Sequence, residues 1–271
     1  MTEVHAWWGR VFAQGSPGGN HTVIVLPGVQ VVDRAAVAAR FAVPDTGFVT
    51  GVHGNEITLR TFSPVEELAQ CLQTSLAALT ALGVPEGERR LVRHERGEQL
   101  ELYREGAVTW ARETAPGSLA LEHTDWPNFV MAEPAPGSGP VILRQARSRV
   151  HLRCADAKQL DGLDIRAADV LELCARTGTN GLVLSAPADD GLRVRVFTTS
   201  LSGREDSATG GAVLGVGRLT ALDGVRGDLA VVQGPAREEQ QGRLHLRLTG
   251  RGEVLLGGTV ESLMTGRTAF A

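Results

Sequence analysis

Leu59-Arg60-Thr61-Phe62-Ser63-Pro64 and Val194-Arg195-Val196-Phe197-Thr198-Thr199 are two copies of one pattern in a chain of 271 residues. Each is a strand-like run that ends in a turn. Nine residues after each phenylalanine, from 62 to 71 and from 197 to 206, stands a group able to hold or move a proton: Cys71, then Asp206. An Ala- and Leu-rich run follows each, Leu72 to Leu82 and Ser207 to Leu219. The repeated strand–turn–helix unit predicts two similar lobes, with Cys71 and Asp206 each at a helix start. If the lobes face each other, an acid/base group lies on each wall of one cleft. That arrangement suits moving a proton across a small molecule.

Outward from the repeat, the first half opens with the apolar run Ala6 to Ala13. A turn, Gly15-Ser16-Pro17-Gly18-Gly19-Asn20, then leads to the β-branched run Thr22 to Leu26, a predicted hairpin. Asp33 to Phe41 is amphipathic and helical, and Gly47–Val52 with Glu56–Phe62 forms a second strand pair. Cys71 to Leu82 has helical spacing and stops at Gly83. Strand-like pieces run from Arg90 to Arg112. Ala115 to Pro140, rich in proline and glycine, is the expected crossing between lobes. The second half repeats the order: strand near Arg149–Leu152, helix over Ala167–Ala175, strands over Gly181–Ser185 and Arg193–Phe197, helix over Thr209–Leu219. Strands near Leu229–Gln233, Leu244–Leu248 and Val254–Leu256 close it. The predicted class is α+β: two pseudo-symmetric lobes, each a curled, mostly antiparallel sheet around a central helix. Residues 1–118, completed by a C-terminal strand over 257–271, form the first lobe and 119–256 the second.

Composition excludes several functions. Hydrophobic residues are 42%, charged residues 21% and net charge −4, which gives no general pull toward nucleic acid or acidic membrane. No apolar run approaches the ~18 residues of a membrane helix and no signal pattern opens the chain, so a cytoplasmic protein is expected. Cys71, Cys154 and Cys174 are too scattered for a zinc site or disulfide framework, and the last two read as buried free thiols. Lys158 is the single lysine and sits in a polar stretch, which argues against a Schiff-base cofactor. No cofactor is expected. The arginine clusters Arg89–Arg96 and Arg144–Arg153 alternate with apolar and acidic residues and read as solvated faces. There is no phosphate loop, nucleophile elbow or dinucleotide fingerprint.

Four segments carry a resemblance. Val11-Phe12 through Gly19-Asn20 to Val23-Ile24-Val25, Pro44-Asp45-Thr46-Gly47-Phe48-Val49, and Leu59 to Pro64 with Glu67 and Cys71 are three. The most specific is Gly203-Arg204-Glu205-Asp206-Ser207-Ala208-Thr209-Gly210-Gly211. Val232-Gln233-Gly234 and Gly242-Arg243 add a weaker echo. Together they resemble the phenazine-biosynthesis (PhzF-like) isomerase family, which shares the diaminopimelate epimerase fold. The resemblance implies a homodimeric, cofactor-independent isomerase of specialised biosynthesis, acting on a small carboxylate. Against the family pattern, Asp45 replaces a glutamate base, Gln73 a histidine, Leu72 a glycine and Gly211 a serine. Asp206 is unchanged. Asp45 would sit its carboxylate ~1.5 Å back, and a shift of that size can cost ~100-fold in rate.

These residues define the candidate site. Asp206 is an acid/base group or a plain helix cap. Asp45 is the second proton carrier or a turn aspartate, and Cys71, favoured as a thiolate by a helix start, competes with it. Gly19, Asn20, Gln73, Thr74, Ser75, Thr209, Gly210 and Gly211 are candidate substrate contacts, with backbone N–H groups gripping a carboxylate. Two other readings remain: a catalytically impaired homologue that binds a carboxylate ligand or a partner enzyme, and a cyclase or hydratase using Asp206 alone.

Overall fold

The computed structural model describes residues 2–13, 18–28, 31–95, 99–114, 119–145, 147–250 and 253–270. The expected turn at Gly15-Ser16-Pro17 and the start of the expected crossing at 115–118 lie outside the described residues. The chain divides into two units, one of Met1–Ala13, Gly19–Pro116 and Gly257–Ala271, the other of Gln14–Gly18 and Gly117–Leu256.

In the first unit the order is β1 (Thr2–Val11), β2 (Asn20–Val25), α1 (Arg34–Phe41), β3 (Asp45–His53), β4 (Glu56–Phe62), β5 (Glu67–Leu68), α2 (Leu72–Ala81), β6 (Arg90–His94), β7 (Gln99–Glu105) and β8 (Val108–Glu113). β1 runs antiparallel to β2, β2 parallel to β3, β3 antiparallel to β4 and β4 parallel to β6. The two parallel steps need long crossovers, which α1 and α2 supply. The second unit repeats this with β9 (Ala120–His123), β10 (Val141–Arg144), β11 (Arg149–Arg153), α3 (Ala157–Asp161), α4 (Ala167–Thr177), β12 (Gly181–Ala188), β13 (Gly191–Thr198), β14 (Glu205–Asp206), α5 (Gly210–Leu222), β15 (Gly227–Gln233) and β16 (Gly242–Leu248). Here β10 is antiparallel to β11, β11 parallel to β12, β12 antiparallel to β13 and β13 parallel to β15. β17 (Val254–Phe270) pairs antiparallel with β1. The class is α+β, as the sequence predicts.

Each unit is layered about its sheet. α2 is buried from Leu72 to Leu79 and packs on β1, β2, β3, β7 and β8. Its leucines 72, 76 and 79, each worth about 1.5–3 kcal/mol when fully buried, tie the strands to it. On the other face α1 closes a smaller core of Val25, Val37, Phe48 and Phe62. In the second unit α5 takes the central place, and α3 with α4 covers a core of Val150, Leu152, Leu160, Leu173 and Phe197. Cys154 and Cys174 are buried free thiols, as expected. Among the described residues no helix is long and apolar enough to cross a membrane.

The sequence repeat folds alike because one ion pair is built twice. Arg60 forks onto Glu67 at 2.7 and 2.8 Å, and Arg195 onto Glu205 at 2.9 and 2.7 Å. Each guanidinium also lies over its phenylalanine, at 5.4 Å from the Phe62 ring and 5.3 Å from the Phe197 ring. Paired charged forks of this kind are strong and geometrically demanding, so they fix β5 against β4 and β14 against β13.

The same pairs correct one expectation. Phe62 lies opposite Glu67, and Phe197 opposite Glu205. The turn between spans 63–66 in the first copy and 198–204 in the second. Equal spacing from the phenylalanine therefore does not mean equal position. Asp206 does not open a helix: it ends β14 opposite Val196, as Leu68 ends β5 opposite Thr61. The partner of Cys71, the N-cap of α2, is Thr209, the N-cap of α5. Several elements escaped the pattern as well, among them β10 and two more. α3 lies in the polar stretch around Lys158, and β9 lies inside the expected crossing.

Candidate functional site

The first unit closes its central helix start from within. Cys71 Sγ accepts from Thr74 N at 3.5 Å, capping α2, and the thiol donates to Asp45 Oδ2 at 3.4 Å. Burial, then the charge of Asp45, push the thiol well above its ordinary range. Cys71 is thus a neutral donor to Asp45 near pH 7, in contrast to the thiolate the sequence analysis considered. The Cys71 N–H in turn donates to His94 Nε2 at 3.3 Å. Burial lowers His94 to about 4, so this imidazole is neutral and fit to accept.

Gln73 is consumed in the same way. Its Nε2 donates to Thr22 Oγ1 at 2.5 Å and to the His21 carbonyl at 3.2 Å, which uses both amide hydrogens. Its Oε1 accepts from Asn20 Nδ2 at 3.3 Å. Thr74 and Ser75 are 0% exposed. The Thr74 hydroxyl meets Thr61 Oγ1 at 2.7 Å, and the Ser75 hydroxyl donates to the Cys71 carbonyl at 2.7 Å. The structure therefore turns the side chains of Gln73, Thr74 and Ser75 inward and leaves them no donor for a substrate. Gly19 has φ +80°, and a Cβ there would lie 2.6 Å from the Val11 carbonyl oxygen, so its role is to pass the chain through a tight site.

The second unit leaves its helix start open. Thr209 makes no side-chain cap; its hydroxyl donates to Asp206 Oδ2 at 2.6 Å instead. Gln233, fully buried, accepts from Thr209 N at 2.9 Å and donates to the Asp206 carbonyl and to Thr209 Oγ1, both at 3.0 Å. The N–H groups of Ala212 and Val213 reach the Thr209 carbonyl at 3.0 and 3.1 Å. No described group accepts from the N–H groups of Gly210 and Gly211, nor from those of Leu72 and Gln73 in α2; the difference is that the glycines put no side chain over theirs. Asp206, Thr209, Gly210 and Gly211, singled out from the sequence, thus gather around one bare helix start, where unpaired N–H groups and the helix dipole favour an anion.

Three residues of these two sites were not read from the sequence as functional. His94 and Gln233 occupy the same place in their units: β4 pairs Leu59 with His94, and β13 pairs Val194 with Gln233. Each takes the N–H of the helix-capping residue. The third is Arg149. Its strand alternates basic and apolar residues, and the basic face, expected to be solvated, lies along α5. Arg149 sits beside Gly211, with its two terminal nitrogens 3.7 and 3.9 Å from where a Cβ would stand. His151 sits under Gly215, and Arg153 pairs with Asp223 at the helix end. Arg149 is 4% exposed.

No protein-family model and no curated protein matches the sequence. Solved structures do. A PhzF-family phenazine biosynthesis protein from Bacillus anthracis superposes with a TM-score of 0.80 at 14% identity, over 100% of both chains. A predicted epimerase from Pseudomonas aeruginosa gives 0.77 at 20% identity, over 99% of this chain and 100% of the other. A hydroxyproline epimerase from Agrobacterium vitis, bound to trans-4-hydroxy-L-proline, gives 0.62 at 12% identity, over 100% and 94%. The fold is that of PhzF-like proteins and of epimerases, as the motifs around Asp206 indicate.

Proposed function

We propose that the protein is a cofactor-independent isomerase or epimerase that moves a proton at a carbon next to a carboxylate. The observation that carries this reading is the pairing of Asp206 with the bare start of α5. The Asp206 carboxylate is oriented by Thr209 at 2.6 Å, and the adjoining Gly210 and Gly211 N–H groups have no acceptor among the described residues. A substrate carboxylate seated on those N–H groups would share its developing negative charge with them when the neighbouring C–H ionises. Asp206 takes that proton and is left as the carboxylic acid; it then returns the proton to the same or a conjugated carbon. Asp45 would be the second proton carrier, with the Cys71 thiol as its hydrogen-bond donor. A place in specialised metabolism and a homodimeric state complete the proposal, on the strength of the motif resemblance.

A second reading has one observation in its favour. The first unit's helix start is filled by Gln73, Thr74 and Ser75, so a step needing only Asp206, such as a cyclisation or hydration, fits the asymmetry. Deuterium uptake from D2O into a panel of small amino, hydroxy and dienyl acids separates the two. The isomerase reading expects uptake by the wild type and a fall of about 100-fold or more in Asp206→Asn, the usual share of a general acid/base. Uptake that survives Asp206→Asn, or none with any acid that binds, overturns it. Loss of activity in Asp206→Asn with none in Asp45→Asn favours the second reading.

A further inference from the structure

Arg149 is a buried cation whose guanidinium is only partly satisfied. It is 4% exposed, and Asp206 is the carboxylate whose charge acts on it. Its one hydrogen bond runs from NH1 to the Arg147 carbonyl at 3.0 Å. Its Nε is buried with no partner among the described residues. Burial, then the charge of Arg147, lower it to about 10, so it is still protonated at neutral pH. A buried charge is normally fully hydrogen-bonded, and a buried guanidinium with an unpartnered Nε calls for a further acceptor.

Its place in the repeat says which ligand. Val23 pairs with Thr46 and Thr46 with Phe62, as Val150 pairs with Leu182 and Leu182 with Phe197, so Arg149, one residue before Val150, stands where Thr22 stands in the first unit. Likewise Gly211 and Gln73 are both the second residue of their helices. In the first unit the Gln73 side chain spans to Thr22 and fills the gap. In the second the side chain is deleted at 211 and a guanidinium lies across the space. A neutral, self-satisfied pair has been exchanged for a buried cation with an unpartnered Nε, beside two N–H groups that no side chain covers.

We propose that Arg149 is a ligand-binding residue of the α5 site: an anion held by the Gly210 and Gly211 N–H groups completes its charge there through the guanidinium. The ligand class is a carboxylate with both oxygens presented, one to the helix start and one to the guanidinium; esters and amides of the same acids are excluded. This deepens the carboxylate reading above and shares its assumption that α5 holds the anion.

The test is binding without turnover. Benzoate and sorbate are titrated into the full chain by calorimetry, with methyl benzoate as the neutral control. Wild type is expected to bind the acids saturably and the ester not at all. Arg149→Met is expected to weaken binding about tenfold or more, the size of one charge-assisted hydrogen bond, and Arg149→Lys to restore part of it. Because Arg149→Met keeps the apolar stem and removes a buried charge that is incompletely hydrogen-bonded, its melting temperature should hold or rise; a residue kept only for packing would show the reverse, with binding intact. Equal affinity in wild type and Arg149→Met overturns the proposal, as does a wild type that binds neither acid. Should Arg149→Met fail to fold, the wild-type Arg149 Nε–H resonance decides: it shifts on benzoate addition, or the proposal falls. Arg149-dependent binding with no deuterium uptake would sink the isomerase reading alone, and uptake with Arg149-independent binding would sink this one alone.

Discussion

The two helix starts are built on one plan and finished in opposite ways. Both units hold the capping residue's N–H with a buried acceptor from the strand beside it, His94 for Cys71 and Gln233 for Thr209. From there they part. At α2 the cap, the first-turn side chains and the facing strand satisfy one another, and an aspartate receives a thiol. At α5 the capping hydroxyl is turned to Asp206, two glycines put no side chain over the first N–H groups, and a buried arginine lies beside them. One repeated scaffold thus carries a helix start covered by side chains and another that is not. The difference lies in side chains, among them Thr22, Leu68, Leu72 and Gln73 in the first unit against Arg149, Asp206, Gly210 and Gly211 in the second, since the strand pairing is the same in both.

Exchanging the acceptors is the strongest way to probe the shared part of the plan. Burial lowers His94 to about 4 in the folded chain against 6.5 when exposed. The unfolded chain therefore binds more protons between those values, and stability falls as the pH drops from 6.5 toward 4. At pH 5 the loss from this group is about 2 kcal/mol relative to neutral pH, from 1.36 kcal/mol per unit. Gln233 does the same work without titrating. His94→Gln, which carries the second unit's solution into the first, should remove that share of the acid sensitivity. Urea unfolding at pH 7 and pH 5 measures it; an unchanged pH dependence in the variant would show that His94 is not held neutral by its site. His151, lowered to about 3 by burial and then by Arg149, contributes in the same direction and would remain.

Much of this plan was legible and some of it was not, for reasons that individual residues make plain. Strands such as Thr22–Leu26 and Arg193–Phe197 announce themselves by β-branched content, and Asp33 with Gly83 mark real helix ends. Glu205-Asp206 to Gly210-Gly211 located the open site outright. The pairing of Cys71 with Asp206 misled because spacing along a chain does not register an inserted turn. Only the pairing of Phe62 with Glu67 and of Phe197 with Glu205 reveals it. Arg149 was hidden by a sound rule, that arginine is almost never fully buried. His151, under the same strand, could have raised the suspicion: a basic face at period two, opposite Gly211 and Gly215, is the mark of a helix brought close. Gln73, Thr74 and Ser75 are polar at a helix start, and nothing in sequence tells whether such groups face a ligand or their own neighbours.

The glycines of α5 give a second way to break the comparison. α2 carries Ala77 at the place that Gly215 holds in α5. A Cβ on Gly215 would stand 2.9 Å from His151 Cε1 and 3.0 Å from Leu143 Cδ2. Both neighbours are buried, so Gly215→Ala should overpack this contact and cost about 1–3 kcal/mol, read as a lower denaturation midpoint with unchanged m-value. The better helix propensity of alanine returns up to about 1 kcal/mol of that. A variant as stable as wild type would show that α5 can move off β11, and the position of Arg149 would then be adjustable instead of fixed.

The smallest effect should come from Cys71, and its smallness is informative. The thiol does two things: its sulfur accepts from Thr74 N at 3.5 Å, and it donates to Asp45 at 3.4 Å. Serine can do both, and it is a preferred capping residue, so Cys71→Ser should change stability by less than about 1 kcal/mol. If the thiol serves only as a donor to Asp45, deuterium uptake in Cys71→Ser stays within a few-fold of wild type, whereas Cys71→Ala, which deletes the donor and the cap together, loses more of both. A proton-carrying Cys71 would give another pattern: serine, far too weak an acid to exchange a proton with carbon near pH 7, would lose activity as fully as alanine. The ratio of the serine to the alanine variant thus decides whether the first unit's helix start acts through Asp45 or through the thiol itself.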